Sequence, residues 1–161
     1  HSFFITMEKK SYTFDEIKQK LVNYCVYQDR CHAEVEQKMR EFLLIDEAKE
    51  EIILFLLKEN FLNEERFARI FAGSKFRVKQ WGKIRIEQEL KMRGLSAYNI
   101  RAGLSEIDNH DYRQTLSKLL EKKSKELRAE TPYVRKQKAA RFVIGKGFEG
   151  ELVWQILGEE Q

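Results

Sequence analysis

The sequence predicts an all-α protein built from three tandem three-helix repeats stacked into an elongated, curved body. Helix breakers are rare, because the 161 residues include only eight Gly and one Pro. Apolar residues recur at helical spacing, as in the stripe of Phe67, Ile70 and Phe71. One apolar pattern also recurs about every 50 residues, a period that is typical of helical repeat proteins.

The recurring pattern is an apolar pair four residues apart in the second helix of each repeat. Val35 and Met39 form the first pair, Ile86 and Leu90 form the second, and the third copy ends at Phe142. Met39, Leu90 and Phe142 are separated by 51 and 52 residues. A single unit of this size buries too little to be stable alone, which predicts stacked units.

The spacing predicts three helices in each repeat, at 13–27, 31–43 and 47–59, then 64–79, 82–93 and 97–107, then 110–128, 132–144 and 148–157. The corresponding domains are an acidic repeat at 13–62, a basic repeat at 63–108 and a second basic repeat at 109–161. Because the chain begins with His1, residues 1–12 are expected to be a tag or a disordered start, and Met7 is a candidate initiator.

Local chemistry supports several of these helix ends. Thr13 and Glu16 have the spacing of a capping box, and Thr131 before Pro132 fits an N-cap followed by the first helical residue. The other predicted N-caps are Asp46, Asn63 and Ser96. Gly94 and Gly145 are expected just past helix ends, with positive φ.

Charge is distributed unevenly along the chain. The net formal charge is +4, but residues 13–65 carry seven Lys or Arg against thirteen acids. Residues 66–93 carry nine bases and two acids, and residues 113–146 carry eleven bases and three acids. This asymmetry predicts a polyanionic partner for the basic part and a different environment for the acidic part.

Composition also argues against several protein classes. The two cysteines, Cys25 and Cys31, form no C-x-x-C framework, which favours a reduced, cytoplasmic compartment. Together with His32 they supply too few ligands for zinc, and no partner for a catalytic thiolate is identifiable. No apolar run approaches membrane-spanning length. We therefore expect no cofactor, no metal, no membrane association and no enzymatic activity.

Two groups of cations are the candidate binding residues, chosen by their charge density. The first group, called the central set below, comprises Lys75, Arg77, Lys79, Lys83 and Arg85. Trp81 lies at the junction of its two helices, where packing beside Gly82 is favoured over base stacking. The second set comprises Lys122, Lys123, Lys125, Arg135, Lys136, Lys138 and Arg141. Glu121 and Glu126 stand at helical spacing from lysines of this second set and can pair with them.

Trp154 is expected in the core, because Leu152, Val153, Ile156 and Leu157 surround it in the sequence.

Several motifs carry a family resemblance that covers about Asp15 to Leu157. Arg30, Glu34, Lys38 and Met39 match the pattern Arg-x-x-x-Glu-Leu-x-x-Lys-Leu, with Val35 in place of the first Leu. The further motifs are Leu62-Asn63-Glu64-Glu65-Arg66-Phe67-Ala68, Ser74-Lys75-Phe76-Arg77 with Trp81-Gly82, Ile86-x-x-Glu89-Leu90-x-x-Arg93-Gly94-Leu95, and Gly145-Lys146-Gly147-Phe148 with Leu152-Val153. Together they resemble the RecX family of regulatory proteins, which modulate the bacterial recombinase RecA.

The resemblance implies a cytoplasmic, non-enzymatic protein of three tandem three-helix repeats. It implies binding along the groove of a RecA–DNA filament, inhibition of recombinase and coprotease activity, and contact with single- and double-stranded DNA without sequence preference. It supplies no catalytic residues.

A helical DNA-binding protein of architectural or transcriptional type, acting without a recombinase, is the alternative. Arg85, Gln88, Arg135 and Gln137 offer base-reading side chains on two helices. Such a factor is expected to be a dimer, whereas no heptad zipper is present in the sequence. We therefore expect a monomer.

Overall fold

A computed structural model describes residues 11–159, and these residues form nine helices and no strand. The helices are α1 (Phe14–Tyr27), α2 (His32–Met39), α3 (Asp46–Lys58), α4 (Glu64–Lys79), α5 (Lys83–Met92), α6 (Ala97–Leu104), α7 (Asn109–Glu126), α8 (Pro132–Gly145) and α9 (Gly150–Glu159). The all-α prediction is confirmed, and each predicted helix corresponds to one observed helix. The elongated, curved stacking stays a prediction.

Most predicted helix starts are confirmed by their hydrogen bonds. Thr13 and Glu16 form a reciprocal capping box at α1. The side chain of Asn63 accepts from the Arg66 amide, and those of Ser96 and Thr131 cap α6 and α8. The prediction for Asp46 is wrong, because it is the first residue of α3 and Ile45 precedes it as N-cap.

The chain divides into two compact units, and the boundary between Phe67 and Ala68 falls within α4. In the first unit, α1, α2 and α3 surround a core in which Leu21, Val35 and Leu56 are fully buried. Of the predicted tag or disordered start at 1–12, residues 1–10, including Met7, lie outside the described residues. Tyr12 is described, and its ring packs edge-on against Phe42.

In the second unit, the buried pair of the third repeat lies one residue later than predicted. Ala139 and Val143 are fully buried on α8, like Ile86 and Leu90 on α5, whereas Phe142 is 40% exposed. The equivalent of Leu90 is therefore Val143, at a spacing of 53 residues. Ala139 and Ala140 are small, so side-chain size in the sequence favours Phe142 as the core residue, whereas the close packing of α8 selects the alanines and Val143.

The ends of α5 and α8 follow the same corrected register. Gly94 has φ 78° and Gly147 has φ 103°, so each takes the left-handed conformation after its helix. Leu95 and Phe148 follow them, and their amides donate to the carbonyls of Leu90 and Val143. The prediction for Gly145 is wrong: it is the last residue of α8, and Gly147 has the positive φ.

Two further core predictions are wrong. Trp154 is 42% exposed on α9, because Val153, Ile156 and Leu157 occupy the buried stripe and leave it outside. Ile70 is also exposed, since the buried face of α4 is formed by Phe67, Ala68, Ala72 and Phe76.

In the second unit, the loop before α5 and the loop before α9 touch through their backbones. The amide of Gly82 donates to the carbonyl of Lys146 at 2.9 Å, and the amide of Ile84 donates to the carbonyl of Gly147 at 3.0 Å. A Cβ on Gly82 would overlap the carbonyl group of Gly147 and the amide nitrogen of Phe148. Only glycine permits this approach.

Gly82→Ala is therefore expected to destabilise the second unit. The φ of Gly82 is −76°, which alanine adopts readily, so the cost is steric and should be about 1–3 kcal/mol. Urea unfolding followed by helical circular dichroism measures it. Gly145→Ala is the matched control, because a Cβ there meets no atom within 4 Å and alanine favours a helix by roughly 0.5–1 kcal/mol. Equal effects of the two substitutions would contradict the packing argument.

Candidate nucleic-acid interface

Trp81 lies between two cations of the central set, Lys75 and Arg85. Its ring is partly buried and packs against Phe71, with ring centroids 6.3 Å apart, as the sequence predicts for this turn. Its part in nucleic-acid binding stays a prediction. The Lys75 ammonium lies 5.1 Å from the Trp81 ring centroid, and the Arg85 guanidinium carbon lies 4.2 Å from it. These are cation–π distances, so one ring gathers two cations from α4 and α5.

Lys83 is placed by a buried hydrogen-bond chain. Its backbone amide donates to the Tyr112 hydroxyl at 2.8 Å, and that hydroxyl donates to the Glu149 carboxylate. Burial raises the pKa of the Tyr112 hydroxyl well above its ordinary value, and the hydrogen bond to Glu149 raises it further. The Lys83 ammonium lies 4.7 Å from the Tyr112 ring centroid and 3.3 Å from the Asn109 side-chain oxygen.

Arg77 and Lys79 are exposed near the end of α4. Gln80 follows in a left-handed conformation, with φ 56°, and turns the chain toward Trp81. Arg77 lines a shallow cleft between α4 and α7, together with Phe76, Gln80, Asp111, Gln114, Thr115 and Lys118.

No member of the central set forms an ion pair with a carboxylate within residues 11–159. The ion pairs along α4 and α5 are formed by other cations, namely Arg66, Arg69, Lys91 and Arg93. Aromatic rings lie against Lys75, Lys83 and Arg85, and the Asn109 side-chain oxygen also contacts Lys83, so no carboxylate neutralises these three cations.

The second set differs, because acids surround several of its members. Lys123, Lys125 and Lys138 pair with Glu126, Glu121 and Glu130 at 3.8, 3.1 and 2.7 Å. The predicted pairing of Glu121 and Glu126 is thereby confirmed for Lys125 and Lys123, but not for Lys122, which was also a predicted partner. Among the residues that the structure describes, Lys122, Lys136 and Arg141 have no such partner.

Arg135 is used within its own turn. Its guanidinium donates to the carbonyls of Leu127, Arg128 and Glu130, which close the connection between α7 and α8. These bonds satisfy the carbonyl of Leu127, the C-cap residue of α7, and two carbonyls of the turn that follows it.

Lys146 is a cation beside the central set that was not selected from the sequence. Its ammonium donates to the Lys79 carbonyl at 3.2 Å, and its own carbonyl accepts from Gly82. The Gly145-Lys146-Gly147 motif marks a close turn at Lys146 in the sequence. Charge density alone, however, does not predict that Lys146 lies next to Lys79.

The two cysteines belong to the first unit, at the end of α1 and before α2. Both are buried, and burial raises the pKa of the Cys25 and Cys31 thiols. A reactive thiolate at the start of α2 is therefore disfavoured.

Comparisons with known proteins give a consistent result. Family models described as the second and third three-helix domains of RecX match residues 63–104 and 111–157. A regulatory protein RecX from Clostridium perfringens is 31% identical over 118 residues, covering 72% of this chain and 55% of the relative. One from Bacillus cytotoxicus is 28% identical over 139 residues, covering 86% of this chain and 51% of the relative.

A crystal structure of RecX from Lactobacillus salivarius superposes with a TM-score of 0.84 at 20% identity, covering 91% of this chain and 95% of that one. The chain belongs to the RecX family. It spans about half the length of the curated RecX relatives named above. In the described part of the chain, no helix is long and apolar enough to cross a membrane.

Residues that carry the RecX pattern in the first unit serve the fold. Glu34 accepts from the Cys31 amide at the start of α2, and Glu64 accepts from the His32 amide. The Arg30 guanidinium stacks 3.7 Å from the Tyr24 ring centroid. The first-repeat pattern therefore maintains helix ends and packing.

Tyr112→Phe tests the hydrogen bonds from Lys83 through Tyr112 to Glu149. Removing the hydroxyl leaves the Lys83 amide and the Glu149 carboxylate without this partner, so we expect a loss of about 1–3 kcal/mol in unfolding free energy. Urea unfolding measures it. Tyr133→Phe is the control, since that tyrosine is 73% exposed and should change stability little. An unchanged unfolding free energy for Tyr112→Phe would show that these hydrogen bonds do not stabilise the loop before α5.

Proposed function

We propose that this RecX-family chain is a non-enzymatic regulator that binds the groove of a RecA–DNA filament and inhibits recombinase and coprotease activity. DNA contact is independent of sequence and made with single- and double-stranded DNA. The chain acts as a monomer in the cytoplasm. Family membership supports the regulatory role, and the central set supports the DNA contact.

The single observation that carries the DNA contact is that no member of the central set forms an ion pair with a carboxylate in the described residues. A cation already paired with an acid must break that pair before it neutralises a phosphate. Lys75, Lys83 and Arg85 lie instead against aromatic rings, which position them and leave their charge intact. Cations of this kind bind phosphates with no dependence on base identity.

The second set supports binding less strongly. Lys122, Lys136 and Arg141 are available for phosphate, whereas Arg135 is committed to its turn. Lys125 and Lys138 are exposed, and exposed ion pairs contribute little, so both can exchange a carboxylate for phosphate. The acidic segment at 13–65 is better suited to a basic protein surface or to solvent.

Charge reversal of three exposed central cations tests the proposal. The variant Arg77→Glu, Lys79→Glu, Arg85→Glu should lose DNA affinity about tenfold or more at low salt, and filament inhibition with it. The slope of log affinity against log salt should become shallower by about 2 to 3. Binding is measured by fluorescence anisotropy between about 50 and 200 mM salt, and circular dichroism verifies the fold.

The control variant reverses Lys58, Lys91 and Arg101, which are exposed and belong to neither candidate set. It produces the same change in net charge, so a general electrostatic effect would appear equally in both variants. Unchanged inhibition by the folded central variant would remove these residues from the binding surface.

ATP hydrolysis by RecA on single-stranded DNA separates regulation from simple DNA competition. Inhibition at well below one chain per recombinase monomer is expected for a filament regulator. Inhibition that appears only when the chain coats the free DNA would instead favour the helical DNA-binding protein that acts without a recombinase.

A further inference from the structure

Phe142 is an exposed aromatic side chain held between two lysines. Its ring is 40% exposed on α8. The Lys123 ammonium, from α7, lies 4.7 Å from the ring centroid, and the Lys146 ammonium, just after α8, lies 5.8 Å from it. Both distances are within cation–π range.

This arrangement is not explained by the fold. The buried stripe of α8 is complete without Phe142, because Ala139, Ala140 and Val143 supply it. An exposed ring beside two ammonium groups is also a poor surface for an apolar protein partner, since burying it would remove both charges from water. The combination suits a ligand with a flat apolar face and negative charges next to it.

The ring lies beside the proposed DNA-binding surface. Lys146 connects the two, because its ammonium contacts the Phe142 ring and also donates to the Lys79 carbonyl at 3.2 Å. The backbone of Lys146 is fixed in turn by the Gly82 amide at 2.9 Å. A strand bound along Lys79 and Lys83 can therefore continue toward Phe142.

We propose that Phe142, Lys123 and Lys146 form a stacking platform for one unpaired base of single-stranded nucleic acid. The base lies on the ring, and the two lysines pair with the phosphates on either side of it, with Lys123 exchanging its 3.8 Å contact with Glu126 for a phosphate. The inference rests on the DNA contact proposed above and adds a preference for single strands. Bases in a duplex are stacked on one another and cannot offer a face to the ring, so duplex binding uses only the cations.

Phe142→Leu removes the ring and keeps an apolar side chain. Anisotropy titrations would compare oligo-dT with a hairpin duplex that has the same number of phosphates. Affinity for oligo-dT should fall at least about fivefold, while duplex affinity stays within about twofold. Tyr133→Leu is the matched control, because it removes an exposed aromatic ring from the same helix with no lysine against it in the described residues, and both affinities should stay unchanged.

A second variant keeps the test decisive if Phe142→Leu does not fold. Phe142→Trp adds a fluorophore at the platform, and its added emission should be quenched by oligo-dT more than by the hairpin. Wild-type protein gives the reference for Trp81 and Trp154.

Three results would overturn the platform. The first is an equal loss of affinity for single strands and for duplex. The second is an unchanged affinity for oligo-dT. The third is a loss of filament inhibition with normal binding to free single strands, which would make Phe142 a protein contact. Each differs from failure of the proposed function, which is reported by the central charge-reversal variant and not by Phe142.

Discussion

The contact between the loops before α5 and α9 is the constraint on which the second unit depends. Two backbone hydrogen bonds join Gly82 and Ile84 to the carbonyls of Lys146 and Gly147, and both glycines must lack a side chain for the loops to meet. The contact joins backbone groups that are more than 60 residues apart in the sequence. The same contact gives a structural role to both glycine motifs, Trp81-Gly82 and Gly145-Lys146-Gly147, although neither motif alone predicts a structure.

Aromatic rings assemble around this contact. Tyr112 stacks on Phe148 at 5.1 Å and on Phe76 at 5.7 Å, while its hydroxyl accepts from Lys83. The same residue thus fills the core and fixes the first residue of α5. Because α5 begins where the loop contact ends, any shift of the loop would move Trp81 and the cations that lie on it.

The sequence predicted the helices and most of their starts, because these depend on local chemistry. The capping box of Thr13 and the caps at Asn63, Ser96 and Thr131 require only residues within three positions. The failures share a different cause. Phe142, Trp154 and Ile70 are large and apolar, yet smaller neighbours such as Ala139 and Ala72 occupy the tightly packed faces and leave them outside. Helices that are distant in the sequence decide which face of a helix packs closely. The contact of Lys146 with Lys79 also joins residues distant in the sequence, so local patterns do not predict it.

Charge density selected two sets of cations from the sequence, but the structure shows that their neighbours differ in kind. On α7 and α8, carboxylates at i+3, at i−4 and in the intervening turn reach Lys123, Lys125 and Lys138, and Lys123 also lies against the Phe142 ring. On α4 and α5, Lys75, Lys83 and Arg85 lie instead against the rings of Trp81 and Tyr112. A carboxylate fixes the position of a lysine and neutralises its charge. An aromatic ring fixes the position through the attraction between its quadrupole and the ammonium group, and the positive charge is not neutralised. Ordered, uncancelled charge is what a phosphate backbone attracts, and it carries no information about base sequence. The aromatic residues of the second unit therefore link packing to the DNA contact proposed for this RecX-family chain.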